Sequence, residues 1–274
     1  MLTTADYYII VPLAVISSAV NGICLIYIIL KILRRWWITK KSLTMAQRVP
    51  FYFALSEYFL FCIHLVNVLH GLHASIYHYT LQGISCRIIG GISFFFFSSN
   101  VILVGSLSLT TYLRICRRIV INLGTYDYKL FLVILLVSLT ITLIGIDDYG
   151  HSKYWCYITP SNPITPIITI SLIVIILLVT LYCYIMTIVE VYINVKKFGS
   201  KLSRVDIIVT RKIIFYILIF LFEWIPVLGF LISRIFYYEE LWIHIVAALS
   251  VNIGGIGNVI LYIIYENCNT TVIV

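Results

Sequence analysis

The chain has little charge. Asp, Glu, Lys and Arg together make up 11% of its 274 residues, whereas 62% of the residues are hydrophobic. A soluble globular domain usually has about 25% charged and about 45–50% apolar residues. One water-facing core of this size cannot hide so much apolar mass, which excludes an ordinary soluble domain. We therefore predict an integral membrane protein whose surroundings are a lipid bilayer.

The sequence also lacks the usual signatures of catalysis. It contains no His-Glu-x-x-His metal motif and no constellation of a nucleophile with its base. We expect no enzyme activity, no bound metal and no cofactor. The net charge is +8, but the basic residues stand between apolar runs. A membrane surface is therefore the expected neighbour of these residues, and nucleic acid is not.

Long apolar runs occur along the whole chain. A membrane-spanning helix needs about 20 mostly apolar residues, and continuous runs exclude barrel strands, which alternate over about 10 residues. We predict a single all-α domain, a seven-transmembrane helix bundle over residues 1–274. Its spans are expected at about 8–33, 49–71, 88–113, 128–147, 164–192, 211–236 and 241–265.

The basic residues predict the orientation of this bundle. Of the 19 Lys and Arg residues, 16 lie at the end of span one or in the loops that follow spans one, three and five. Positively charged loops stay in the cytoplasm. The N-terminus is therefore expected outside and the C-terminus in the cytoplasm.

This orientation sorts the seven cysteines. Only Cys86 and Cys156 then face the oxidising side, where disulfides form. We predict a disulfide between them, and two free outer thiols are the alternative. Cys268 follows span seven on the cytoplasmic side, where palmitoylation and a free thiol are both open.

Ionisable and polar residues inside spans are expensive and usually functional. In span two, Glu57, His64 and Asn67 share one helical face. We interpret this face as a lining of the bundle interior that holds a ligand or an ion. A hydrogen-bonded packing stripe between helices is the alternative.

Further residues extend this candidate pocket from other spans. They are Asn100 in span three, Glu223 and Trp224 in span six, and His244 in span seven. Pro226 removes a backbone donor and is expected to kink span six, which allows that helix to pivot. Ordinary bundle packing of Trp224 is the alternative to a role in such movement.

Seven predicted spans, an outer N-terminus, and cysteines at the start of span three and in the second outer loop together resemble a G-protein-coupled receptor. The run 149–158 is similar to the Trp-Cys-Trp-Ile signature of the slime-mould cyclic-AMP receptor-like group, to which some fungal nutrient receptors are related. Phe220, Trp224 and Pro226 resemble the span-six switch of rhodopsin-like receptors, and Asn258 with Tyr262 has the spacing of their span-seven motif. Glu57 falls where that family has an acidic sodium-site residue.

The resemblance implies a plasma-membrane receptor that passes a signal from an extracellular ligand to a heterotrimeric G-protein through movement of span six. It places the G-protein contacts on the inner side, and Thr111 stands where the family has the Arg of its Asp/Glu-Arg-Tyr motif, which this chain lacks. The other expected contacts are Arg114, Arg117, Arg118, Lys196, Lys197 and Lys201.

Two other membrane functions were weighed. A small transporter or channel is the main alternative, although the two halves of the chain show no convincing repeat of the kind common in transporters. A retinal protein requires a lysine in span seven, and residues 241–265 contain none.

Overall fold

The computed structural model describes residues 4–39, 45–76, 83–119, 121–124, 127–152, 154–159, 164–198, 203–236, 238 and 240–270. Almost all of them are helical. The helices are α1 (Thr4–Thr39), α2 (Met45–Ile76), α3 (Ile84–Ile115), α4 (Tyr128–Ile144), α5 (Ile164–Phe198), α6 (Ser203–Ile235), α7 (Leu241–Val251) and α8 (Ile253–Thr270). A short 3-10 turn, Ile146–Asp148, follows α4 and leads into strands β1 (Tyr149–His151) and β2 (Cys156–Ile158).

Six helical segments of the described chain are long and apolar enough to cross a membrane. They are Tyr8–Ile38, Arg48–His70, Ile84–Ile115, Ile164–Glu190, Leu218–Ile235 and Leu241–Ile264. The protein is therefore a multi-pass, essentially all-helical membrane protein. The fourth predicted span corresponds to α4, which is apolar but only 17 residues long, so the count of seven spans stays a prediction.

The surface of α4 shows how the bundle meets lipid. Its buried residues are Leu130, Ile134 and Ser138, which are spaced by four and therefore form one narrow stripe. Leucines and valines on the remaining surface, including Leu132 and Leu136, are exposed. So much exposed apolar surface is unfavourable in water and natural in lipid.

Contacts with the β-hairpin define one end of the bundle. Strands β1 and β2 pair antiparallel, with Tyr149 opposite Ile158 and His151 opposite Cys156. The segment from β1 to β2 contacts the first turns of α1, α3 and α7 and the last turns of α2 and α6. The long helices therefore alternate in direction, and this end is called the hairpin end below.

The last membrane segment is broken, where the sequence predicts one continuous span. α7 ends at Val251 and α8 begins at Ile253, so Asn252 stands between them. The Asn252 side chain donates to the carbonyl of Ala248 at 2.8 Å, and Asn side chains compete with the helix backbone in this way. Glycines at 254, 255 and 257 lower helix propensity further, so the break falls at the weakest point.

An ion pair joins two helices at the end opposite the hairpin. Arg48 at the start of α2 donates to Asp127 at 2.9 Å, and Tyr52 donates to the same carboxylate oxygen at 2.9 Å. Asp127 is buried and precedes α4 directly. A buried carboxylate needs such partners because burying an unpaired charge is costly.

We expect Asp127→Asn to lower the free energy of unfolding by about 1–3 kcal/mol, because it weakens two hydrogen bonds to a buried charge. Tyr52→Phe removes one bond and should cost about 0.5–1.5 kcal/mol. Thermal unfolding in detergent measures both effects. Asp147→Asn is the matched control because Asp147 is exposed. Wild-type stability of Asp127→Asn would contradict the role given to this ion pair.

Candidate functional site

Three helices hold the hairpin over the mouth of the bundle. A disulfide joins Cys156 of β2 to Cys86 of α3, as the sequence predicts. The Asn67 amide of α2 donates to the Cys156 carbonyl at 2.7 Å and accepts from its N–H at 2.8 Å. Arg234 of α6 donates to the Ile158 carbonyl at 2.8 Å. The hairpin is therefore attached to the bundle by a disulfide and by hydrogen bonds to its backbone, and it is called the lid below.

A cavity of about 90 Å³ lies beneath this lid, and it is called the hairpin-side cavity. Helices α2, α3, α6 and α7 and the lid supply its walls. Its lining is mostly apolar, and its polar or aromatic members include His64, Asn67, Ser93, Phe97, Trp155 and Tyr157. In the described part of the chain, no Asp, Glu, Lys or Arg lines this cavity.

A second cavity of about 90 Å³ opens toward the other end of the bundle, and it is called the far-side cavity. It reaches from the start of α2 to the last part of α3 and α5. Its polar lining is richer and includes Glu57, Ser108, Thr111, Thr180, Glu223 and Asn258.

An aromatic layer stands between the two cavities. Trp224 is completely buried, and its ring meets Phe97 edge-on at a centroid distance of 4.8 Å. Phe220, one turn away on α6, lies 6.0 Å from the Trp224 ring. Phe97 lines the hairpin-side cavity and Phe220 lines the far-side cavity. A shift of α6 therefore alters the walls of both cavities together.

Two carboxylates meet in the middle of the bundle. Glu57 of α2 is 5% exposed and Glu223 of α6 is 2% exposed. A Cβ added to Gly254 would stand 2.7 Å from a Glu223 oxygen and 2.8 Å from both Glu57 oxygens. The glycine thus leaves the room in which the carboxylates approach each other. Asn258 of α8 donates to Glu57 at 3.0 Å.

This carboxylate pair has chemical consequences. Two buried negative charges at close range repel strongly, so a shared proton or a bound cation is needed to stabilise the pair. One oxygen of each carboxylate has no hydrogen-bond partner among the described residues. Within that part of the chain, no group of three or more His, Cys, Asp or Glu side chains is arranged to hold a metal ion.

Amides from α1 and the helix break continue the polar centre. Asn252 donates to Ser17 at 3.2 Å and accepts from the Asn21 amide at 3.4 Å. A small cavity lined by Asn21, Glu57, His64 and Asn252 connects these amides with the α2 stripe. Sequence reasoning missed Asn21 because a single Asn in an apolar run has no partner visible in the sequence.

The other residues predicted for the ligand pocket or for the span-six and span-seven switch lie in separate parts of the bundle. Asn100 is buried in α3, and it does not line any of the three cavities described above. His244 is buried under the lid and packs edge-on against Tyr154 at 4.9 Å. Tyr262 is buried in a cluster with residues of α1 and α2. α6 stays helical through Pro226.

The expected G-protein contacts lie at the far end. Thr111 lines the far-side cavity and donates to the Leu107 carbonyl. Arg114, Arg117 and Arg118 are exposed. The side chains of Lys196 and Lys197 and the whole of Lys201 lie outside the described residues, as does the side chain of Cys268.

Two ionisable groups of the lid have pKa values shifted by burial. Desolvation lowers the pKa of His151 below its usual value and raises the pKa of Tyr149. The Tyr149 hydroxyl donates to the Thr142 carbonyl at the end of α4. His151 therefore favours its neutral form, which keeps the lid uncharged at this point.

Comparison with known proteins adds no further assignment: no protein-family model matches the sequence, and no curated protein is significantly similar to it.

We expect loss of the disulfide to loosen the lid. Cys86→Ala with Cys156→Ala should lower the free energy of unfolding by about 2–5 kcal/mol, measured by thermal unfolding in detergent. Reductant should lower the melting temperature of the wild type and leave that of the double variant unchanged. Cys24→Ala, at a half-buried free thiol, is the control. A wild type insensitive to reductant would count against this role.

Proposed function

We propose that the protein is a seven-transmembrane receptor of the plasma membrane that transmits an extracellular ligand signal to a heterotrimeric G-protein. In this proposal α4, extended by the 3-10 turn that follows it, is the fourth span and brings the number of spans to seven. The lid faces the outside with the N-terminus, and the basic end with the C-terminus faces the cytoplasm. Lysine and arginine at the far end support this orientation by the positive-inside rule.

The observation that carries the proposal is the aromatic layer between two cavities. Trp224 contacts Phe97 at 4.8 Å under the hairpin-side cavity, and its neighbour Glu223 lines the far-side cavity. Trp224 and Glu223 both belong to α6 and stand two and three positions before Pro226. A ligand that presses on Phe97 therefore acts, through Trp224, on α6, the helix that helps to line the far-side cavity.

The energetic requirement on such a ligand is simple. It shifts the bundle only if it binds two arrangements of α6 with different affinity, and the G-protein then affects ligand affinity by the same factor. The missing backbone donor at Pro226 makes α6 easier to bend at this point. The far-side cavity, bordered by Thr111 and the exposed arginines, is the proposed site of G-protein contact.

We expect Trp224→Leu to change signalling, whereas Phe222→Leu should not. Trp224 is buried in the layer, and Phe222, two residues earlier, is 67% exposed on the lipid side. Coupling energies of 1–3 kcal/mol predict a shift of about 5- to 150-fold in the effective ligand concentration. The assay is G-protein activation in a heterologous cell against a panel of sugars, amino acids, nucleotides and peptides, at matched surface expression.

A signalling response that is the same in both variants would argue against the role of the layer. Trp224→Phe provides a second variant with a smaller loss of volume, and it should give an intermediate shift. The variant set thus separates a local role of the Trp224 ring from a general loss of stability.

A transporter or channel is the second candidate, and the carboxylate pair is the observation that favours it. Glu57 and Glu223 line the far-side cavity in the middle of the bundle, and coupling-ion sites of transporters lie near the bilayer midplane. Flux measured in liposomes distinguishes the two functions. Substrate flux that Glu57→Gln abolishes, without any G-protein response in cells, would replace the receptor proposal.

A further inference from the structure

The described lining of the hairpin-side cavity is mostly apolar and uncharged. It is lined by residues of four helices and the lid, and among the residues that the structure describes there, none carries a formal charge when histidine is neutral. Arg234, which attaches α6 to the lid, donates to the Ile158 carbonyl and does not line the cavity. An ionised ligand would therefore lose its hydration here without finding a counter-charge, which costs several kcal/mol.

Two polar groups in the lining remain available. Ser93 is 7% exposed, and its hydroxyl has no hydrogen-bond partner among the described residues. The Nε2 atom of His64 likewise has none. Buried hydroxyl and ring nitrogen groups are nearly always hydrogen-bonded in folded proteins. Each of these two groups can therefore take part in one further hydrogen bond with a molecule in the cavity.

Another polar side chain of the lining, that of Asn67, already has hydrogen-bond partners. The Asn67 amide uses both its donor and its acceptor on the backbone of Cys156. Besides Asn67 and the two groups just described, only the Trp155 ring N–H and the Tyr157 hydroxyl are polar side-chain groups of the described lining. The cavity therefore offers few hydrogen bonds, and each ligand hydroxyl left unpaired in it would weaken binding about 5- to 150-fold. A sugar, with many hydroxyl groups, is poorly served.

Size and shape add a further limit. The cavity volume of about 90 Å³ is below that of the engineered apolar cavity of about 150 Å³ that holds benzene. Aromatic rings of Phe97, Trp155 and Tyr157 border it, and aromatic pairs gain from edge-to-face packing. The cavity is not closed on all sides, so a single ring with a short substituent fits when part of the molecule lies in its open side, whereas a nucleotide is too large and too highly charged.

We infer that the hairpin-side cavity binds a small, uncharged, mainly apolar or aromatic molecule with one hydrogen-bonding group, held by Ser93 and His64. The idea that this ligand is the signal of the receptor rests on the proposed function. The idea that it binds in the cavity does not. Its ring would pack on Phe97, the residue that contacts Trp224 of α6.

A matched trio of probes tests the charge preference on the purified full-length protein in nanodiscs. The probes are 2-phenylethanol, phenylacetate and 2-phenylethylammonium, which share one ring and a two-carbon arm and differ mainly in charge. Saturation-transfer NMR titrations measure binding. We expect 2-phenylethanol to bind saturably and at least about tenfold more tightly than either ion, a difference of 1.4 kcal/mol or more.

Two variants locate the probe. Ala247→Leu fills the cavity, which Ala247 lines, and should weaken 2-phenylethanol binding at least about tenfold. Val246→Leu is the matched control, because Val246 is the preceding residue of α7 and is exposed. Ser93→Ala should reduce the preference for 2-phenylethanol over ethylbenzene by about 3- to 10-fold, and its small change in volume preserves folding.

Three results would overturn the inference: no saturable binding of 2-phenylethanol, equal binding of either ion, or equal binding to Ala247→Leu and Val246→Leu. G-protein activation is measured separately in cells. Probe binding without activation supports the ligand class and counts against the receptor proposal. Activation by a charged ligand, with no binding of the neutral probe, does the reverse.

Discussion

Lipid surrounds the bundle, and it requires polar side chains to be turned inward and satisfied there. Glu57, Glu223 and Asn258 lie together in the interior of the bundle, where all three are buried away from lipid. The same requirement puts Asn21 against Asn252, where α7 and α8 separate. The polar centre thus sets how α1, α2, α6 and α8 face each other, and the apolar residues fill the space around it.

Glycine makes this arrangement possible at one point. Gly254 stands where a Cβ would meet both carboxylates, so a larger residue would separate them or change their rotamers. The break at Asn252 comes two residues earlier. Small residues and a local helix break therefore serve the same end, which is close approach of three helices around buried charge.

The lid and the aromatic layer connect this centre with the hairpin end. Cys86–Cys156, Asn67 and Arg234 attach the lid to three helices. Asn67 shares a helical face with Glu57, so α2 carries both the lid attachment and half of the carboxylate pair. α6 has the same double role through Arg234 and Glu223. This pairing of roles adds to the support that the aromatic layer gives the receptor proposal, because movement of either helix affects both ends.

Much of this could be predicted from the sequence, because bilayer thickness and charge asymmetry act on the chain residue by residue. Apolar runs alone predict the membrane-spanning helices, and the loop charges identify Cys86 and Cys156 as partners. The helical period places Glu57, His64 and Asn67 on one face. Contacts across the bundle depend on helix rotation and close packing, which no local pattern encodes. Only the tertiary structure therefore decided that Glu223 meets Glu57, that Asn67 binds the lid rather than a ligand, and that Asp127 receives Arg48 and Tyr52.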